Sequence, residues 1–250
     1  NESSYSIGCV TIDPNNTNII WVGTGENNNQ RSVAYGDGIY KSLDGGKSWK
    51  NMGLNKSEHI GNILVHPNNS DVVYVSAYGP LWSDGGDRGI YKTEDGGNTW
   101  NKILYIDKHT GFNEIHMDPR NPDVLYAASH QRRRHVYTYV GGGPGSGLHK
   151  STDGGVTWKV INKGLPNVEI GRIGMDISDA NPEIIYAIVE AAERKGGFYK
   201  STNRGENWVK QSNKVTSGNY YQEIFADPVN QDVVYTMDTW MAVTHDGGKT

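Results

Sequence analysis

One phrase recurs five times along the 250-residue chain and constrains its fold more than any other feature. It reads Ser42-Leu43-Asp44-Gly45-Gly46-Lys47-Ser48-Trp49, then Thr93-Glu94-Asp95-Gly96-Gly97-Asn98-Thr99-Trp100, then Ser151-Thr152-Asp153-Gly154-Gly155-Val156-Thr157-Trp158. A looser copy runs from Ser201 through Asn203, Arg204 and Gly205 to Trp208, and Thr244-His245-Asp246-Gly247-Gly248-Lys249-Thr250 is the fifth. The Asp or Asn positions are 51, 58, 50 and 43 residues apart. A period of that length marks a propeller or another repeat array, whose units bury their faces against their neighbours.

A second phrase keeps step with the first. Asp13-Pro14-Asn15 precedes Ile19-Ile20-Trp21, and His66-Pro67-Asn68 precedes Val72-Val73-Tyr74. Asp118-Pro119, Asn181-Pro182 and Asp227-Pro228 stand in the same relation to Val124-Leu125-Tyr126, Ile184-Ile185-Tyr186 and Val233-Val234-Tyr235. Between these turns lie short β-branched and aromatic runs, which read as strands. For the second unit they are 60–65, 72–77, 89–93 and 99–104. No window carries an amphipathic helical stripe, and 190–195 is expected to make one short helical turn.

The phrases have a physical reading. An Asp between strands three and four accepts backbone N–H bonds across its own turn, while glycine supplies the positive φ of a tight hairpin. The Ser or Thr two residues earlier adds a local bond, and the following tryptophan fills space against a neighbouring sheet. Asp44, Asp95, Asp153, Asn203 and Asp246 are therefore structural staples.

Repeated four-stranded antiparallel units are the blades of a β-propeller, so the expected class is all-β. The expected blades span about 5–53, 58–105, 112–162, 169–212 and 220–250 within a single propeller region, residues 1–250. The fifth phrase stops short of its tryptophan, and little precedes the first strand. The reading is thus four complete blades and a partial fifth, completed by the remainder of the same polypeptide. The phrases resemble the Asp-box (BNR) repeat, and the unit resembles sortilin-type propeller domains of large secreted bacterial proteins. That resemblance covers residues 5–250 and implies an extracytoplasmic protein: secreted, periplasmic or at the cell surface. Similar boxes occur in sialidases and in xyloglucan-degrading glucanases, so the motif implies a fold and not an activity.

Composition excludes several classes. Glycine accounts for 32 residues and the formal net charge is −4, which gives no general drive toward nucleic acid or anionic membranes. No apolar run is long enough to span a bilayer as a helix. The single Cys9 cannot form an internal disulfide and reads as a buried thiol. There is no zinc-type His-Glu-x-x-His and no Gly-x-Ser-x-Gly elbow. No metal site or cofactor is expected.

Function is expected on the end of the blades that carries the irregular connections, between strands two and three and between blades. The loop 129–147 combines Arg132, Arg133 and Arg134 with Tyr137 and Tyr139. It reads as a cation-and-aromatic surface for an anionic or sugar ligand, or as a long loop whose arginines pair with nearby acids. Trp82, Tyr220, Tyr221 and Trp240 offer further stacking faces. Aligned on the Asp-Pro turn, the first strands bring Asn62, Glu114, Arg172 and Glu223 to one position. Glu114, Arg172 and Glu223 are expected to converge there, as an acid/base pair with an arginine or as an internal ion-pair network. The sequence favours a non-catalytic interaction module of a larger extracytoplasmic protein, with a protein or glycan partner. The alternative is a glycoside hydrolase of the xyloglucanase-like kind using paired carboxylates.

Overall fold

The computed structural model describes residues 2–250, so Asn1 of the expected propeller region lies outside the described residues. In chain order the strands are β1 (Ile7–Ile12), β2 (Ile20–Thr24), β3 (Ile39–Ser42), β4 (Lys50–Asn51), β5 (Ile60–His66), β6 (Asn69–Ala77), β7 (Gly89–Thr93) and β8 (Asn101–Leu104). There follow β9 (Thr110–Asp118), β10 (Asn121–Gln131), β11 (Arg133–Arg134), β12 (Tyr139–Val140), β13 (Gly147–Ser151) and β14 (Lys159–Val160). The rest are β15 (Ile170–Ile177), β16 (Ile185–Ala191), β17 (Gly197–Ser201), β18 (Val209–Ser212), β19 (Glu223–Ala226), β20 (Val234–Met237) and β21 (Ala242–Thr244). The strands form four four-stranded blade sheets and one three-stranded sheet, β19-β20-β21. The fold is an all-β propeller. A single 3₁₀ turn at Ala192–Arg194 falls where the one helical turn was expected.

Two differences from the sequence reading have simple causes. The fourth strand of the second blade begins at Asn101, because Thr99 is held by the Asp95 turn and Trp100 only leads into the ladder. The loop 129–147 is not wholly irregular: β11 and β12 pair as a small hairpin inside it.

The chain divides into two compact units, one built from the chain up to Ile115 with Arg133–Tyr139, the other from His116–Arg132 with Val140–Thr250. In the first unit, Trp21 and Ile39 of one blade pack with Ile60, Ile63, Val75 and Tyr91 of the next. Trp100 meets Trp21 edge-on, with centroids 6.2 Å apart, and its indole N–H donates to the Met52 carbonyl. In the second unit, Tyr126, Leu148 and Ile161 pack with Ile173, Met175, Val189 and Tyr199. Trp208 donates there to the Ile161 carbonyl, as Trp100 does to Met52. Apolar strand faces thus close blade against blade, which is the dominant favourable term in such a fold.

The turns carry the repeat at atomic level. Asp44 accepts from the N–H groups of Lys47 and Ser48, Asp95 from Thr99, Asp153 from Thr157, and Asp246 from Lys249 and Thr250. The hydroxyl two residues before each Asp or Asn accepts from the last glycine of its turn, at 2.8–2.9 Å. Each box also donates an N–H to the strand-one-to-two turn of its own blade: Gly45 to Asn18, Gly96 to Asp71, Gly154 to Asp123, Arg204 to Glu183 and Gly247 to Asp232. The two phrases therefore sit side by side at one end of every sheet. Hydroxyl donation from Thr99 and Thr157, followed by the backbone bonds, holds the Asp95 and Asp153 carboxyls down at about 2.

Asn203 shows which part of this network matters. Its side-chain oxygen takes the Asn207 N–H at 3.0 Å, yet the fourth box has no hydroxyl four residues on. Asp153→Asn is therefore expected to keep the turn with a small loss of stability, and Asp153→Ala to lose clearly more. Thermal unfolding of the two variants checks the order. Equal melting points for both would show that the backbone bonds are dispensable.

Candidate functional site

In the first unit three loops are tied together by two arginines. Arg88, 1% exposed, donates to the carbonyls of Gly85, Tyr78 and Ser83 at 2.9 Å each and also to that of Pro80. A guanidinium presents five donors in a fixed plane, so one buried arginine shapes the whole 78–88 loop. The loop leaves Trp82 42% exposed at its crest. Arg134 reaches two other loops: its backbone N–H donates to Leu81, and its Nε to the Asn29 carbonyl at 2.7 Å. Its guanidinium carbon lies 4.5 Å from the centre of the Tyr139 ring. Tyr137, at the tip of the same hairpin, is 87% exposed and stacks with His135.

The same surface carries an ion pair. Asp84 pairs with Lys108 at 2.8 Å, and the Lys108 ammonium holds the Asp84 carboxyl below the usual carboxylate range, with Arg133 adding to the effect. Arg133 itself is half-buried.

Asn62 and Glu114 also belong to the first unit. Asn62 donates to the Ile115 carbonyl at 2.9 Å and accepts from the Ile115 N–H at 3.0 Å, joining the first strands of successive blades. Thr11 makes a similar link to the Ile63 carbonyl. Between the same strands Gly61 lies so close to the Asn113 carbonyl that a Cβ has no room. Glu114 is 8% exposed.

The second unit places Arg172 and Glu223 together. Arg172 is fully buried, and its guanidinium donates to Glu223 Oε1 at 3.3 Å and to the Tyr220 carbonyl at 3.4 Å. Its backbone N–H donates to Glu190 Oε2 at 3.3 Å. Burial pushes the Glu190 carboxyl up, against the opposing pull of that bond and of the Arg172 charge. Glu223 keeps 38% of its side chain in solvent. Tyr220 and Tyr221 form a tilted pair, 48% and 38% exposed, and Trp240 is 84% exposed.

The structure distributes the arginine run unevenly. Arg132 is completely buried in the second unit, beside His130, and is not a surface group. Tyr137 and Trp82 are accessible; Tyr139 is half-buried beneath Arg134. Sequence reasoning passed over Arg88 and Glu190, because each is a single charged residue with no recurring spacing, Arg88 in a loop and Glu190 near the end of β16. Cys9 is half-buried beside Gly23, and burial pushes its thiol up to about 12. Among the described residues no three His, Cys, Asp or Glu side chains cluster as metal ligands. No helix among them is long and apolar enough to cross a membrane.

The fold has known relatives. A xyloglucanase of Hypocrea jecorina (strain QM6a) is 26% identical over 218 residues, covering 80% of this chain and 21% of that protein. The chain thus spans about a fifth of the length of that curated relative. The GH74 xyloglucanase from Xanthomonas campestris superimposes with a TM-score of 0.72 at 12% identity, over 96% of this chain and 36% of that one. YCF48 from Cyanidioschyzon merolae does so with a TM-score of 0.59 at 12% identity, over all of this chain and 70% of that one. At these identities the likeness is one of fold. The Sortilin-Vps10 family model, described as sortilin, neurotensin receptor 3, matches residues 37–196, and the chain belongs to that family.

Proposed function

We propose that this chain is a non-catalytic interaction module of a longer extracytoplasmic protein, taking a protein or glycan ligand on the irregular ends of its blades. One observation carries the reading. Two polar positions of the first strands hold neighbouring blades together: Asn62 binds the Ile115 backbone, and buried Arg172 binds Glu223. A hydrolase would instead need two carboxylates facing each other across an open bond-sized gap.

The xyloglucanase relative favours a second reading, a glycoside hydrolase, for which Glu114 and Glu223 are the candidate carboxylates. Incubation with xyloglucan and a panel of other glycans, read by reducing-end release, separates the two. No release is expected, and Glu114→Gln or Glu223→Gln should change nothing. Release that disappears in either variant, with the fold intact, would sink the module reading. Localisation and partner follow from this proposal and not from any residue by itself.

A further inference from the structure

The third strand of the fifth sheet departs from the other four at one position. In the complete blades the ladder sets a buried ring on the third strand opposite an aliphatic residue on the second. The pairs are Tyr40 with Val22, Tyr91 with Val75, His149 with Ala127 and Tyr199 with Ala187. In the fifth sheet the same pair is Ala242 with Thr236. A methyl group stands where a ring stands elsewhere, beside a groove of about 210 Å³ lined by Phe198, Thr236, Ala242 and Gly248. A cavity of about 150 Å³ is enough for a benzene ring, so this space admits one aromatic side chain.

Three further features indicate what such a groove receives. Thr236 is 4% exposed, and its hydroxyl has no hydrogen-bond partner among the described residues. A buried hydroxyl of this kind carries a cost that an incoming polar group removes. β21 is the edge of its sheet, with backbone groups that a further strand can pair. A further strand alone does not supply the ring, since the fourth strands of the complete blades set Asn51, Lys102, Val160 and Lys210 opposite it and leave it in place. The occupant therefore brings its own ring. Exposed Lys214 is the one charged side chain of the lining, which favours an acidic residue next to that ring. We propose that the groove docks an extended segment of a partner protein, which pairs with β21 and inserts a tyrosine flanked by an acidic residue. The phenol stands in for the ring that Tyr40, Tyr91 and Tyr199 give their own blades, and its hydroxyl gives Thr236 a partner. The proposal rests on the interaction-module reading and adds to the blade ends a second site, on the fifth sheet.

Fluorescence anisotropy with labelled, acetylated hexapeptides and the whole chain tests it. The parent peptide alternates Thr and Val around a central Tyr-Glu pair, and saturable binding is expected. Ala242→Tyr restores the ring within β21, so it should weaken that binding about tenfold while unfolding remains cooperative. A peptide with Phe for Tyr should bind about threefold more weakly than the parent. Thr236→Val, which conserves volume, should abolish the difference between the two peptides. Lys214→Glu should weaken the Tyr-Glu peptide and not a Tyr-Lys one. Unchanged binding in Ala242→Tyr would overturn the proposal, as would equal binding of a peptide with Ala for Tyr, or no binding by the parent chain. Self-association that disappears in Ala242→Tyr, with no peptide bound, would assign the groove to a second copy and overturn it too. None of these readouts involves glycan cleavage, so this proposal and the non-catalytic reading can fail separately.

Discussion

Acidification from about pH 7 to about pH 4.5 is expected to destabilise the second unit well before its carboxylates protonate. Two histidines are responsible. His149 is 8% exposed, with its Nε2 2.9 Å from the Ser129 hydroxyl, and burial holds it down at about 4. His130 is fully buried, its Nε2 bonded to the Gly141 carbonyl; burial first, then the Arg132 and Arg172 charges, hold it at about 3. In the unfolded chain both titrate near the ordinary value of about 6.5. Below that pH the unfolded state binds protons that the folded state refuses, so stability falls as pH falls. The loss begins near 6.5 and continues until the folded groups themselves titrate. For His149 it amounts to roughly 3 kcal/mol at about 1.36 kcal/mol per unit. Glu190 acts in the opposite sense, because its raised carboxyl takes up a proton in the folded state first. The Asp-box carboxyls add their own loss only below the ordinary aspartate value, since they are depressed. Urea titrations across this range should therefore show a steep slope in the native chain and a shallower one in His149→Gln, whose amide can still meet Ser129. Identical slopes in the two proteins would remove His149 from the account.

Much of the fold was legible because its turns are chemically demanding. A box that needs an acceptor, a hydroxyl and two positive-φ residues leaves few alternatives; the boxes of Asp44, Asp95, Asp153 and Asp246 meet it with two glycines, and that of Asn203 with Arg204 and Gly205. A third repeat accompanies the two turn phrases. Trp21, Tyr74, Tyr126 and Tyr186 pair directly across the ladder with Lys41, Lys92, Lys150 and Lys200. Each ammonium lies 4.7–5.6 Å from the ring centre of its partner. These are cross-strand cation–π pairs, visible as a lysine just before every Ser or Thr of the first four boxes. In the fifth sheet Val243 replaces the lysine opposite Tyr235.

The candidate site was harder to read, for a different reason. Spacing shows which strand position a residue holds, but not what it meets. Arg132, Arg133 and Arg134 are consecutive, yet one is buried, one sits beside a surface ion pair and one clamps two loops. Burial of a charged loop residue depends on which distant carbonyls arrive there, and no local pattern encodes that. Arg88 is the plainest case, since its partners lie within ten residues and still follow no motif.

Arg172→Ala is expected to destabilise the protein by roughly 3–5 kcal/mol, the range for truncating a large, fully buried side chain together with its hydrogen bonds. Three costs combine. The Tyr220 carbonyl and Glu223 lose a donor, Glu190 loses the nearby positive charge that opposes its desolvation, and a fully buried side chain leaves a void. Glu223→Gln should cost far less, on the order of 1 kcal/mol, because the glutamate is 38% exposed and water already shares its charge. Its amide oxygen can still accept from the guanidinium. The asymmetry is the diagnostic feature, since an arginine kept only to orient a catalytic carboxylate would be thermally dispensable. Arg172→Met separates volume from charge: it refills most of the space and restores no donor, so it should recover only part of the loss. Denaturant midpoints for the three variants decide the matter. If Arg172→Ala and Glu223→Gln move the midpoint equally little, the pair does not hold these blades together, and Glu223 again becomes a candidate for chemistry.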